Sequence, residues 1–266
     1  MAVSEYRIEL NGITKEFPTK KGVITAVKDV NFRVKEGDFI SLVGPSGCGK
    51  STVIRMINGI ISPSRGTIRI GQDSYSGEPS HDTLKKLGFV FQSPNLLPWL
   101  TVRDNLKIPL KVMGLTGKKW DDRAEDLLQL VGLTDAAKMY PGEISEGMKQ
   151  RLGVIRAMVH DPEILLMDEP FGYLDELTRE TLDLEILKIW EQTKKTIIFI
   201  THNISEAILM ASQIYVMGTN PGRIIKEVQV ELPYPREHSC METEYFVNME
   251  AMIMGLIGNV ALDKIK

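Results

Sequence analysis

The chain has 266 residues, 43% of them hydrophobic and 25% charged, with a formal net charge of −3. That length suits one large α/β domain or a core with a sizeable insertion, and the charge leaves no basic footprint for nucleic acid or an anionic membrane surface. The start, Met1-Ala2-Val3-Ser4-Glu5-Tyr6-Arg7, lacks the pattern of a secretory leader, and no apolar run reaches the roughly 18 residues that cross a bilayer.

Residues 6–10 and 27–34 alternate apolar and polar, as half-buried strands do. Glu36-Gly37-Asp38 marks a turn, after which the apolar run Phe39-Ile40-Ser41-Leu42-Val43 leads straight into Gly44-Pro45-Ser46-Gly47-Cys48-Gly49-Lys50-Ser51. A helix is expected from Lys50 to Asn58, stopped near Gly59 and Pro63. Gly88-Phe89-Val90-Phe91 reads as another short strand, and roughly 94–161 as helical, with 123–131 and 148–159 the clearest segments. Ile164-Leu165-Leu166-Met167 and residues 196–201 are buried strands that run into Asp168-Glu169 and His202. Near-continuous apolar strands alternating with helices predict a parallel sheet covered on both faces. Its strands each carry a polar motif at the C-terminal end, where ligands bind in open parallel sheets.

The glycines of 44–51 let backbone N–H groups approach phosphate oxygens, and the following helix start adds positive potential. Lys50 is placed to meet the β- and γ-phosphates of a nucleotide, Ser51 to ligate Mg²⁺, and Thr52 to add a hydrogen bond. A disulfide through Cys48 would obstruct the loop, so Cys48 and Cys240 are expected as thiols in a reducing, cytoplasmic compartment. Asp168 and Glu169 cap a buried strand, which is costly without a cation nearby. Asp168 is a candidate Mg²⁺ ligand and Glu169 a candidate general base toward water, against the plainer reading of a solvated strand end before Pro170. His202 is a candidate γ-phosphate contact. Gln92 is either a metal and water contact or a surface loop residue. Ser145 and Glu146 are accounted for by themselves as an N-cap and a first-turn acid.

Taken in order, the loop 44–51, Gln92, Ile144-Ser145-Glu146-Gly147-Met148, Ile164 to Glu169, Leu174-Asp175 and His202 resemble the motifs of an ATP-binding cassette (ABC) ATPase, over roughly residues 5–237. The resemblance implies an α/β P-loop NTPase (RecA-like) fold: a parallel sheet core with an antiparallel β part and an inserted α-helical subdomain. It implies an ATPase domain over 1–237, with its core in 1–93 and 162–237 and helical subdomain at about 94–161, then a helical tail over 238–266. Gly44, Pro45, Ser46, Gly47, Cys48, Gly49, Lys50, Ser51 and Thr52 are then the nucleotide loop. Ser51, Gln92 and Asp168 are the Mg²⁺ set, and Glu169, His202, Gln92 and Lys50 the catalytic set. Phe17 resembles the aromatic that stacks on adenine. The family pairs two copies head to tail, so Ser145 and Gly147 of one copy close over ATP held by the other, with Asp175 at the seam.

Leu96-Leu97-Pro98-Trp99-Leu100-Thr101-Val102 and Pro221-Gly222-Arg223-Ile224 further resemble importers of nitrate, sulfonates, taurine and related anions. That resemblance implies membrane permease subunits as partners, an extracytoplasmic binding protein indirectly, no nucleic acid, and a place on the cytoplasmic face of the membrane. Trp99 is either a core or a permease-contact residue. Glu146 stands where the family usually has Gly; a carboxylate near a γ-phosphate would repel it by about 1 kcal/mol or more, so its side chain is expected to turn away. A soluble cassette ATPase of DNA repair or translation is the first rival. A P-loop kinase is the second, and it leaves Ser145, Gly147 and His202 without roles.

Overall fold

The computed structural model describes residues 6–20, 22–172 and 174–262; the ends of the expected domain (1–5) and tail (263–266) lie outside the described residues. Strands β1 (Tyr6–Thr19) and β2 (Gly22–Lys35) form an antiparallel hairpin, extended by β4 (Arg65–Ile70) and β5 (Asp73–Tyr75) in the order β2-β1-β4-β5. Both hairpin strands outrun the alternating segments that foretold them, because the register shifts four times, between Tyr6 and Ile8 and onward to Lys15 and Glu16. Bulges reset the alternation, so a strict period of two does not persist along the whole hairpin.

The second sheet has the order β10-β9-β3-β8-β7-β6, with β3 (Phe39–Val43), β6 (Leu87–Val90), β7 (Ile164–Asp168), β8 (Thr196–Ile200) and β9 (Gln213–Gly218) parallel, and β10 (Arg223–Gln229) antiparallel at the edge. Along its central strands the side chains divide by face. Phe39, Val43, Leu165, Met167, Ile197 and Phe199 enter one core, and Ile40, Leu42, Ile164, Leu166, Ile198 and Ile200 enter the other. Burying each is worth about 1.5–3 kcal/mol, and a one-residue slip would exchange the two sets. Register is therefore tightly specified. It aligns Leu42, Ile200 and Asp168 in one row across β3, β8 and β7, and Val90 with Met167. The residues that continue these strands, Gly44, His202, Glu169 and Gln92, leave the same edge as neighbours.

Helix α1 (Lys50–Ile57) covers the second core together with the hairpin, while α2 (His81–Lys85) precedes β6. Between β6 and β7 the chain is helical: α3 (Val102–Leu106), α4 (Ile108–Val112), α5 (Lys118–Leu130) and α6 (Glu146–Met158). Helices α7 (Glu176–Thr193), α8 (Ile204–Met210) and α9 (Glu244–Leu262) cover the first core. The long α7 has no counterpart among the elements expected from sequence. Its apolar residues are interrupted by charges, and its cap, Asp175, is visible only once the backbone bends there. The tail helix α9 buries Phe246, Met249 and Ile253 and leaves Tyr245 and Met252 exposed, so a narrower face packs than the five apolar residues suggest. None of the helices is long and apolar enough to cross a membrane among the described residues.

Candidate active site at the strand tips

The loop between β3 and α1 turns through left-handed backbone at Gly47 and Gly49, with φ of 78° and 100°. At Gly49 a side chain is excluded on a second ground, since a Cβ would lie 2.3 Å from Val27 Cγ1. Lys50, only 5% exposed, folds back across the loop and donates to the carbonyls of Gly44 at 2.8 Å and Pro45 at 3.5 Å. An ammonium is thus held against the loop at a helix start, where free N–H groups attract anions. The Cys48 side chain is buried in the second core with Val53 and Met217, as a small apolar group is. Neither cysteine is in a disulfide.

Across the edge, Ser51 Oγ donates to Asp168 Oδ1 at 2.7 Å, and Arg55 Nη2 stands 3.5 Å from Asp168 Oδ2. Asp168 is buried, and Arg55, which sequence reasoning did not single out, supplies the compensating cation. Glu169 adopts φ 48°, a left-handed conformation that costs a non-glycine residue about 1 kcal/mol or more. That bend follows the last ladder bond, from its N–H to Ile200 O at 3.0 Å. Its Oε2 lies 3.3 Å from His202 Nδ1 and 3.5 Å from Gln92 Nε2. Gln92 is therefore part of the cluster and not an isolated loop residue. Its carbonyl accepts from buried Gln150 Nε2 of α6 at 3.2 Å, a link the sequence did not signal.

Ser145 caps α6, accepting from Met148 N–H at 3.3 Å. Glu146 turns along the helix to Lys149, 2.7 Å away, away from the helix start as expected. Asp175 caps α7, and hydrogen bonds from the Thr178 hydroxyl and N–H hold its carboxyl below the usual range. Gly147 abuts the same Thr178, whose Cγ2 would be 3.1 Å from an added Cβ. The starts of α6 and α7 thus meet at one place. Among the described residues, no hydrogen bond or ion pair links Ser145, Gly147 or Asp175 to Lys50, Ser51, Glu169 or His202.

Phe17 is partly exposed on β1, with Lys15 Nζ 5.0 Å from its ring centre. Lys15 pairs with Val27, which adjoins Gly49, and Phe17 lies two residues, about 7 Å, along the strand from Lys15. Trp99 is 69% exposed, which removes the core reading for it. Buried Asn105 holds its loop by accepting from Leu97 N–H at 2.8 Å and donating to Leu97 and Leu100 carbonyls.

Residues 27–172 match the family described as "ABC transporter". An aliphatic sulfonates import ATP-binding protein of Bacillus cereus is 42% identical over 229 residues, covering 86% of this chain and 88% of that one. A nitrate import ATP-binding protein of Synechocystis is 39% identical over 230 residues, covering 86% and 85%. Among solved structures, a post-hydrolysis dimer of the ATP-binding cassette MJ0796 bound to ADP and Pi superposes with a TM-score of 0.74 at 31% identity, covering 85% of this chain and all of that one.

Proposed function

This chain belongs to the ABC transporter family, and from that premise we propose that it is the ATP-hydrolysing subunit of an importer of a small anion such as a sulfonate, nitrate or taurine. The observation that carries the chemistry is the convergence of Lys50, Ser51, Asp168, Glu169, His202 and Gln92 at one sheet edge. In this reading Lys50 exchanges its bonds to the Gly44 and Pro45 carbonyls for β- and γ-phosphate oxygens, and the N–H groups of residues 46–52 bind the rest of the triphosphate chain. Phe17 stacks on the base. Glu169 accepts a proton from the attacking water. His202, already at hydrogen-bond range of Glu169, contacts the γ-phosphate, and the Gln92 amide orients the water.

The donor set fits a hard divalent cation. A hydroxyl and a carboxylate 2.7 Å apart, with an amide nearby, are oxygen donors, and Mg²⁺ characteristically takes one or two protein ligands beside phosphate and water. Ser51, Asp168 and Gln92 would hold it, and a bound Mg²⁺ would offset the charge that builds on the phosphate oxygens. Ser51 spends its proton on Asp168, which leaves its lone pairs to face a ligand.

A second copy of the chain, arranged head to tail, would bring Ser145, Gly147 and the α6 start over the γ-phosphate, with Asp175 at the seam. Exposed Trp99 and the loop pinned by Asn105 would face membrane permease subunits at the cytoplasmic face, which receive solute from an extracytoplasmic binding protein. Residues 1–237 are read as the ATPase domain, with the helical part at 94–161, and 238–266 as its tail. Affinity-tagged chain expressed in its own cells, then identified with its partners by mass spectrometry, tests the assignment. A copurifying permease with a solute-binding protein is expected. Nucleic acid bound in a salt-sensitive manner, with no permease, would replace this reading by a soluble cassette ATPase.

A further inference from the structure

Behind the strand tips lies a pair of acids that the hydrolytic scheme does not use. Asp183 of α7 and Glu206 of α8 are 3% and 4% exposed. Helices α7 and α8 pack together and set the two carboxyls within electrostatic reach of each other, while Asp183 Oδ1 finds no hydrogen-bond partner. Two carboxyls so placed in a buried site repel when both are ionised, which favours one proton shared by the pair. Glu206 also accepts from the Thr201 hydroxyl. That hydroxyl in turn accepts from Asn203 N–H at 2.9 Å, and the Asn203 side chain caps α8 through Glu206 N–H at 3.1 Å. Residue 202 lies between these two anchors, and its ring reaches Glu169 at 3.3 Å. Glu206, Thr201, His202, Glu169 and Arg179 line one small pocket.

We propose that Asp183 and Glu206 are positioning residues which share one proton and, through Thr201, hold His202 against Glu169. The proposal rests on the ATPase reading of Glu169 and His202 given above. The charged and titratable groups facing the pair are Arg179 and Glu180 from α7, His202 from the end of β8, and Glu169 across the pocket. Arg179 is the cation beside them, enough for a pair bearing one negative charge. When the shared proton leaves to solvent, two buried negative charges repel. The contact between α7 and α8 then loosens, and Thr201 no longer fixes the neighbouring imidazole. Burial pushes both carboxyls up, Asp183 well above the ordinary range and with Glu206 as the next cause, so the loss falls on the alkaline side.

The test is the pH profile of Mg-ATP hydrolysis for wild type, D183N and T201V. Wild-type kcat should fall about tenfold per pH unit on an alkaline limb, the slope of one proton, with KM little changed. In D183N an amide donates to Glu206 at every pH, so the limb should move up by at least about one pH unit. T201V should lower kcat at neutral pH, keep KM, and flatten the same limb. Stability supplies an independent reading. A carboxyl raised in the folded state stabilises fully below its unfolded pKa near 4, and that contribution is lost as pH rises toward the folded pKa. D183N should therefore gain more in Tm at pH 8 than at pH 5. Identical alkaline limbs in all three proteins, or an equal Tm change at both pH values, overturns the pair. An E169Q control separates the two readings: if E169Q hydrolyses like wild type, the assignment of Glu169 fails, whereas limbs unmoved with Glu169-dependent turnover sink only the pair.

Discussion

The strand tips and the start of α6 are made of similar materials, a few small residues, a hydroxyl and a carboxylate beside a helix N-terminus, yet they differ in what completes them. At the tips, four strands in fixed register deliver Gly44, His202, Glu169 and Gln92 side by side, and the polar groups answer one another within the chain. At α6, Ser145 and Gly147 lie on the surface, and their interactions go to their own helix and to Thr178. Buried polar groups must be paired, so the first region is over-determined by the fold. The second is a rigid, exposed helix end, suited to recognition by something brought to it. Nucleotide binding should therefore belong to one chain, and hydrolysis to two.

The largest test removes the base. Glu169→Gln should bind ATP, accumulate as an ATP-dependent dimer in light scattering, and lose roughly 10²–10⁴-fold in phosphate release; rapid turnover would remove Glu169 from that role. Lys50→Ala should weaken ATP binding about 10–100-fold, since a hydrogen bond to a charged group contributes about 1.5–3 kcal/mol. Titration calorimetry showing unchanged affinity would undo the phosphate assignment. Ser145→Ala separates the two regions most cleanly. Loss of the cap should cost about 1 kcal/mol in denaturant unfolding and weaken ATP-driven dimerisation, while monomer affinity for ATP stays as it was. Should affinity fall instead, the two regions act as one within a single chain. The smallest effect is expected from Glu146→Gly: ATPase activity equal or higher, with a few tenths of a kcal/mol lost from the Lys149 pair. A tenfold drop in activity would give the glutamate a positive role.

How legible each region was follows from how local its causes are. The loop 44–51 is readable because its glycines, its lysine and the strand before it are contiguous. Asp168, Glu169 and His202 are readable because each follows an apolar run. Helix α7 escaped notice because its buried face mixes Leu182, Ile186 and Trp190 with Asp183. Arg55, Gln150 and Asn105 escaped because a polar residue on a helix gives no sign of a partner that lies across the fold. The direction of the Cys48 side chain was illegible for a related reason: its place in the loop is set by sequence, but its turn into the core is a matter of packing.

The sequence by itself determined the phosphate loop, the order of its motifs and the parallel core, since periodicity and spacing are properties of the chain read in one dimension. Only the tertiary structure decided that Gln92 and His202 converge on one oxygen of Glu169, and that Asp183 meets Glu206 behind Thr201. Each depends on sheet register and helix packing, which bring within about 3 Å groups that sequence holds tens of residues apart, and it is at such distances that hydrogen bonds and shifted protonation arise.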